Sequence, residues 1–343
     1  MLNVVFRSFA SFITSFLVVF IFTPRFILFL KRKQSGGQPI REDGPKSHLV
    51  TKAGTPTMGG LLLIVSVILG TIIWGNLSNK YLWLCIIVML GFGLVGAVDD
   101  YKKVSKHDYH GISVKTRFLI QILIASGCCG LATFLGNFDT TLHLPIFKNL
   151  VIDLGWLFIP WAVFVIIGSS NAVNITDGLD GLATTSIITT STCLAIMCYF
   201  VGCKELANCF CISWVAETAE ICILLSALIG SCLGFLWYNA YPAKIFMGDT
   251  GSVAIGAILG FIVIVIKQEL VYAIIAGVFV IETLSDIVQV GYYKLTRKRI
   301  FKMAPFHHHL EQVGWAEPTI VFRFLIISII LGILGLSLLM RTK

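Results

Sequence analysis

The residues able to do chemistry fall in five short clusters of this chain. Asp99-Asp100-Tyr101-Lys102-Lys103 sets two adjacent carboxylates beside two ammonium groups. Adjacent carboxylates repel and lose hydration near a membrane, so keeping both ionised calls for a metal ion or nearby cations. A solvated helix end with Lys102 and Lys103 as counter-ions is the plainer alternative. In the second cluster, residues 171–181, Asn174, Asp177, Gly178, Leu179 and Asp180 form an irregular, Gly-containing stretch. Asp177 and Asp180 share a face if a helix starts there, although Thr176 or Asp177 would serve equally as its cap. The third runs from Asn239 through Lys244 and Phe246 to Gly248-Asp249-Thr250-Gly251-Ser252. A Pro-containing turn opens a new helix, where free N–H groups favour phosphate and Asp249 suits Mg²⁺, with a plain N-cap as the competing role. The fourth is Pro305-Phe306-His307-His308-His309. Three successive histidines do not line one helix face, so tetrahedral zinc is disfavoured, but an imidazole beside a diphosphate can donate a hydrogen bond or move a proton. The fifth, Lys52 to Gly60 with Thr57, is a Gly/Pro turn offering a cation and donors to an anion or a polar headgroup.

The elements that must position these clusters are membrane helices. Of 343 residues, 57% are hydrophobic and 13% charged, which excludes an ordinary soluble domain. Apolar segments fall at 8–30, 58–75, 81–98, 116–136, 156–173, 179–201, 221–238, 250–266, 270–290 and 319–340. The spacing predicts an all-α polytopic protein of about ten transmembrane helices, one domain over 1–343, with the first segment a retained helix. Gly256 and Gly260 read as a close-packing pair inside the bundle rather than a dimer contact. The ten cysteines read as small core hydrophobes; Cys203, Cys209 and Cys211 share one loop in which a disulfide is possible.

Orientation follows from charge. One alternating set of loops carries seventeen Lys/Arg and the other seven, which puts the first set, and all five clusters, in the cytoplasm with both termini outside. The net charge of +8 therefore requires no nucleic acid. Asp99, Asp100, Asp177, Asp180 and Asp249 meet many cations at one membrane surface, an arrangement suited to a Mg²⁺-bridged polyphosphate. A transporter would place polar groups near the midplane. Glu282 and Asp286, four residues apart within the ninth segment, are the exception, either functional or protonated packing groups.

At KAGTPTMGG (52–60), DDYKK (99–103), NAVNITDGLDGLA (171–183), NAYPAKIFMGDTGS (239–252) and APFHHHLEQVGW (304–315), the chain resembles the bacterial phospho-N-acetylmuramoyl-pentapeptide transferase family, within the polyprenyl-phosphate N-acetylhexosamine-1-phosphate transferase superfamily. The resemblance runs from about residue 45 through the last segment. It implies Mg²⁺-dependent transfer of phospho-MurNAc-pentapeptide from UDP-MurNAc-pentapeptide to undecaprenyl phosphate, giving lipid I and UMP, by a homodimer in the bacterial inner membrane. It further implies that Asp249, with Asp177, holds Mg²⁺, and that Asp99 and Asp100 are metal-associated or base residues. Asp177, Gly178, Leu179, Asp180, Asn239 and Phe246 would form a uridine pocket near Asn174. Lys52, Thr57 and Lys103 would flank the donor, and His307, His308 and His309 would lie over its phosphates or sugar. Asp286 and Leu325 depart from the family's pattern outside these motifs. Direct attack by the lipid phosphate and a covalent aspartyl intermediate both remain open.

Overall fold

A computed structural model describes residues 2–34, 37, 52–106, 111–136, 140–143 and 151–339. Of the basic residues counted above, Arg41, Lys46, Lys148, Arg341 and Lys343 lie outside the described residues. The helices are α1 (Leu2–Lys33), α2 (Gly60–Trp74), α3 (Lys80–Lys106), α4 (Val114–Gly136), α5 (Phe158–Thr176), α6 (Leu182–Gly202), α7 (Lys204–Cys209), α8 (Ile221–Asn239), α9 (Gly248–Val265), α10 (Glu269–Ile275), α11 (Gly277–Thr296), α12 (Phe306–Val313) and α13 (Glu317–Leu339). Every predicted apolar segment coincides with helix. Among the described residues, eight helices have the length and composition to cross a bilayer, or nine if α10 and α11 are one span bent by 84°. The difference from ten lies in α2, whose 15 residues rise about 22 Å against a hydrocarbon core of about 30 Å. The bend falls at Ala276, where the backbone leaves helical geometry (φ −84°, ψ 18°) just before Gly277. Between α4 and α5 a small antiparallel hairpin pairs β1 (Thr141–His143) with β2 (Val151–Asp153), Leu142 opposite Ile152.

In hydrocarbon each backbone group needs an internal partner, and this requirement is visible even in α1. Pro24 has no N–H, which frees the carbonyl of Phe20 one turn earlier. Tyr238 Oη donates to that carbonyl at 3.0 Å, from α8. Between helices the same economy prevails. Ser169 Oγ donates to the Gly256 carbonyl (2.7 Å), Ser170 Oγ to Val253 (2.9 Å), and Ser66 and Ser231 hydroxyls meet at 2.7 Å.

The centre of the bundle is α9, 94% of which is buried. Small residues let its neighbours approach it closely, as expected where lipid offers no hydrophobic drive. A Cβ on Gly256 would lie 2.6 Å from the Ser169 carbonyl oxygen, and one on Gly260 2.9 Å from Ile166 Cα, so that pair packs internally against α5. On the other side a Cβ on Gly96 of α3 would lie 2.2 Å from the Asp249 carbonyl oxygen. All ten cysteines are free; Cys209 and Cys211 are exposed and the other eight buried, so the disulfide left open above is not formed.

The two ends of the bundle differ. At one, Arg7 pairs with Glu220 and Asn79 Nδ2 donates to the Glu217 carbonyl (2.9 Å). At the other, the five motif clusters meet. Gly96→Ala is expected to lower thermal stability by about 1–3 kcal/mol through overpacking at α9. Gly130→Ala, where nothing stands within 4 Å, is expected to be neutral or stabilising, as alanine suits a helix better. Equal melting temperatures for both variants in detergent would contradict this account of the α3–α9 contact.

Candidate active site

The site is organised around the N-terminus of α9. Asp249, in its first turn, receives three donors: Lys103 Nζ (2.8 Å) and an Arg117 guanidinium nitrogen (3.1 Å) on Oδ2, and Asn174 Nδ2 (2.7 Å) on Oδ1. Lys103 also lies 2.7 Å from Asp99 Oδ2, while Asp99 Oδ1 accepts the N–H of Ile112 at 2.6 Å. One ammonium thus bridges two carboxylates from different helices. Asn174 Nδ2 reaches Ser252 as well (2.9 Å), and its Oδ1 accepts from Arg117 (3.3 Å).

Asp100 does what a cap would do, but from another helix. Its oxygens accept the N–H of Asp249 (3.1 Å), the N–H of Thr250 (2.9 Å) and the Thr250 hydroxyl (2.6 Å). The plain N-cap role weighed for Asp249 therefore belongs to Asp100, and the Asp249 side chain is left for the charged cluster. The turn before α9 is held by the turn before α2: Phe246 N donates to Pro56 O, Gly59 N to Phe246 O and Gly60 N to Met247 O, all within 2.8–2.9 Å. Gly248 has φ +73°, and a Cβ there would meet both Asp100 Oδ2 and Thr57 Oγ1 at 2.6 Å. Thr57 is buried, its backbone paired twice with the Gln34 amide, and its hydroxyl has no partner among the described residues. Phe246 is half-buried beside it.

The 177–181 stretch corrects the sequence expectation. It is a turn rather than the start of a helix; α6 begins at Leu182 after Gly181 at φ +82°, and Thr176 Oγ1 bonds back to Ala172 O (2.8 Å) instead of capping forward. Asp177 and Asp180 consequently do not share a helix face. Asp180 turns to Lys52 (3.0 Å) and to the N–H of Ala243 (2.9 Å), and Lys52 also pairs with Glu317 (2.8 Å). Burial opposes the charge on Lys52, but Glu317 and Asp180 outweigh it and raise its pKa. The Asp177 carboxyl has no hydrogen-bonding partner among the described residues, although its N–H donates to the Asn174 carbonyl (3.3 Å). Burial first, then the negative charges of Asp249 and Asp100, push its carboxyl up to about 7. Leu179 is buried in a small apolar cluster with Leu182, Val278, Ile320 and Phe324. Asn239, also buried, is spent on Thr184 (2.7 Å) and the Ile245 carbonyl (3.0 Å), so it holds the 239–245 turn.

The three histidines divide. His307 is fully buried and its Nδ1 lies 2.8 Å from Glu282. His308 Nδ1 lies 2.6 Å from Glu311. His309 Nδ1 accepts the N–H of Lys302 (3.1 Å), and its ring packs on Phe301 and Phe306. The polar partner that Glu282 lacked in sequence is thus supplied through space by the histidine segment.

Residues 82–267 match the family model described as glycosyl transferase family 4. Residues 52–64 match signature 1 of the phospho-N-acetylmuramoyl-pentapeptide-transferases. A phospho-N-acetylmuramoyl-pentapeptide-transferase of Rickettsia felis is 49% identical over 336 residues, covering 97% of this chain and 93% of that protein. The chain belongs to the phospho-N-acetylmuramoyl-pentapeptide-transferase family. In this family member the signature contains Lys52 and Thr57, and the longer match takes in all five aspartates but ends before Glu282 and the histidines.

Were the cluster to hold a metal, its carboxylate oxygens would suit Mg²⁺. Among the described residues no three His, Cys, Asp or Glu side chains gather into a preformed metal cage. Mg²⁺ commonly uses one or two carboxylates together with substrate phosphates. Asp249 and Asp177, whose carboxyl has no hydrogen-bond partner among the described residues, would be those carboxylates, and a bound cation would favour the ionised form of Asp177. Sequence reasoning missed Arg117, counted only as a topogenic charge, and Glu317, which pairs with Lys52 and accepts the N–H of Asp180 (2.6 Å). Arg117's place beside the first turn of a span, opposite DDYKK, was the available signal.

Asp177 titrates with a sign that can be checked. The unfolded carboxyl ionises near pH 3.9 and the folded one near 7, so between these values the folded state holds the extra proton and stability falls as pH rises. Without divalent cations, Asp177→Asn is therefore expected to raise the melting temperature relative to wild type near pH 8 and far less near pH 5. An equal effect at both pH values would show that the Asp177 charge is not what strains the site.

Proposed function

We propose that this family member transfers phospho-MurNAc-pentapeptide from UDP-MurNAc-pentapeptide to undecaprenyl phosphate, forming lipid I and releasing UMP, in the bacterial inner membrane. The observation that carries the reading is the meeting of Asp99 and Asp249 with Lys103 and Arg117 at a helix N-terminus, at one end of a membrane bundle, with Asp177 near enough to feel the charges of Asp249 and Asp100. Such a cluster suits a diphosphate whose acceptor cannot leave the bilayer. The charge count over loops supports a cytoplasmic site with both termini outside, and the family resemblance supports a homodimer.

The chemistry is one displacement. An oxygen of the lipid phosphate attacks the β-phosphorus of the donor, the bond from that phosphorus to the bridging oxygen breaks, and UMP leaves with the electron pair. At neutral pH a phosphate monoester is already largely ionised, its second pKa being near 6, so little base assistance is needed. Asp99 and Asp249 are tied to Lys103, and Asp249 to Arg117 as well, which blunts either carboxylate as a nucleophile and favours direct attack over an aspartyl intermediate. Lys103 and Arg117 are placed to meet charge developing on the leaving UMP. Mg²⁺, held by Asp249 and Asp177, would neutralise the diphosphate. Asn174 and Ser252 keep Asp249 oriented, and Lys52 with Glu317 fixes the 177–180 turn beside it.

UMP release by detergent-purified protein is expected to need donor, undecaprenyl phosphate and Mg²⁺, to stop with chelator, and to fall at least about 10²-fold in Asp249→Ala. Activity with UDP-GlcNAc instead would move the chain to a sister transferase, and silence with every donor to a transporter. Cys209 and Cys211, exposed at the opposite end, are expected to react with a membrane-impermeant maleimide from outside the cell.

A further inference from the structure

The buried polar face of α11 has no part in the transfer just described. Glu282, Ser285 and Gln289 recur at intervals of three and four, on one helix face, and all three are buried. That face grips the segment leading to the histidines. Gln289 Oε1 accepts the N–H of Ile300 and of Phe301, both at 3.0 Å, and its Nε2 donates to the Phe301 carbonyl at 3.0 Å. Glu282 Oε2 accepts from His307 twice, from Nδ1 at 2.8 Å and from the backbone N–H at 3.4 Å. The opposite face of α11 is apolar and uncovered, with Leu284, Ile287 and Leu295 between 50% and 87% exposed. It therefore belongs to the bilayer.

His307 carries the arrangement one contact further. Its Nε2 is buried, has no partner among the described residues, and is aimed at Gly178: a Cβ on that glycine would lie 2.3 Å away. Gly178 sits between Asp177 and Asp180, and its carbonyl faces Lys52 Nζ at 3.4 Å. A carboxylate on Nδ1 fixes which ring nitrogen carries the proton and which way the ring lies. The ring so fixed is the floor under Gly178.

We propose that Glu282 and His307 are positioning residues that transmit the placement of the lipid-facing helix α11 to Gly178, and so set where Asp177 and Asp180 stand. Both side chains are completely buried, and in this proposal they act through the turn they support. The proposal rests on the transferase reading above for its kinetic consequence, but its geometry can be tested without substrate.

The experiment pairs UMP-release kinetics with thermal unfolding in detergent. Glu282→Gln keeps an oxygen for His307 Nδ1 and should retain kcat within about threefold, whereas Glu282→Ala should lose at least about tenfold. Gly178→Ala should lower both melting temperature and kcat in the wild-type background. His307→Asn keeps a donor toward Glu282 but vacates the space at Nε2, so adding Gly178→Ala to it should cost nothing further. Equal loss from Gly178→Ala in both backgrounds would overturn the contact. A Glu282→Gln variant as inactive as Glu282→Ala, with wild-type melting temperature, would overturn the positioning role, because the charge itself would then be at work. Were wild type to release no UMP from any donor, the transferase reading would fall while the unfolding cycle still decided the contact.

Discussion

The interaction on which the rest depends is the grip of Asp100 on the first turn of α9. An α-helix leaves its first N–H groups without intrahelical partners, and in a buried, water-poor setting each costs about 1–3 kcal/mol if left so. Here the partner comes from α3, through three hydrogen bonds to one carboxylate. This joint sets the depth of the central helix relative to α3, and with it the distance between Asp99 and Asp249 that Lys103 spans. The glycine at 96 makes the approach possible, since any side chain there would strike the Asp249 carbonyl. Removing the carboxylate would free two donors of a buried helix and separate the two acids that share an ammonium.

Around this joint the same principle recurs in weaker form. The Phe20 carbonyl that Pro24 frees and Tyr238 fills, and the serine hydroxyls on facing carbonyls, close polar groups that lipid would leave open. Charged groups at the site end are arranged in the opposite spirit. Lys103 and Arg117 offset only part of the acidic cluster, leaving Asp177 unpartnered with its proton held up to about 7. A cation placed there would favour the ionised form of Asp177 and displace that proton.

Much of this was legible in the chain. Runs of apolar residues gave the helices because a bilayer tolerates few alternatives, and the motif clusters marked the end at which they meet. Four things were not legible. Asp177 and Asp180 carry helical spacing, but Gly178 and Gly181 make a turn, so spacing alone misplaced them. The partners of Asn239 and Leu179 left no local signal: one bonds Thr184 and Ile245, and the other packs in an apolar cluster with residues of distant helices. Arg117 and Glu317 found their partners 132 and 265 residues away, a separation no local pattern records. The bend between α10 and α11 was likewise silent, since the apolar run continues through it.

The shortness of α2 has a consequence for the bilayer itself. At about 22 Å it cannot match the thickness that its neighbours span, and the deficit is made up at the site end by non-helical backbone from Pro56 to Gly59, which is hydrogen-bonded to residues 246 and 247. Irregular backbone at membrane depth is permitted where protein covers it. A span this short favours a locally thinner bilayer over a full-thickness one. On the function proposed above, a thinner bilayer would let a phosphate anchored to a long hydrocarbon tail approach the first turn of α9 while its tail stays dissolved.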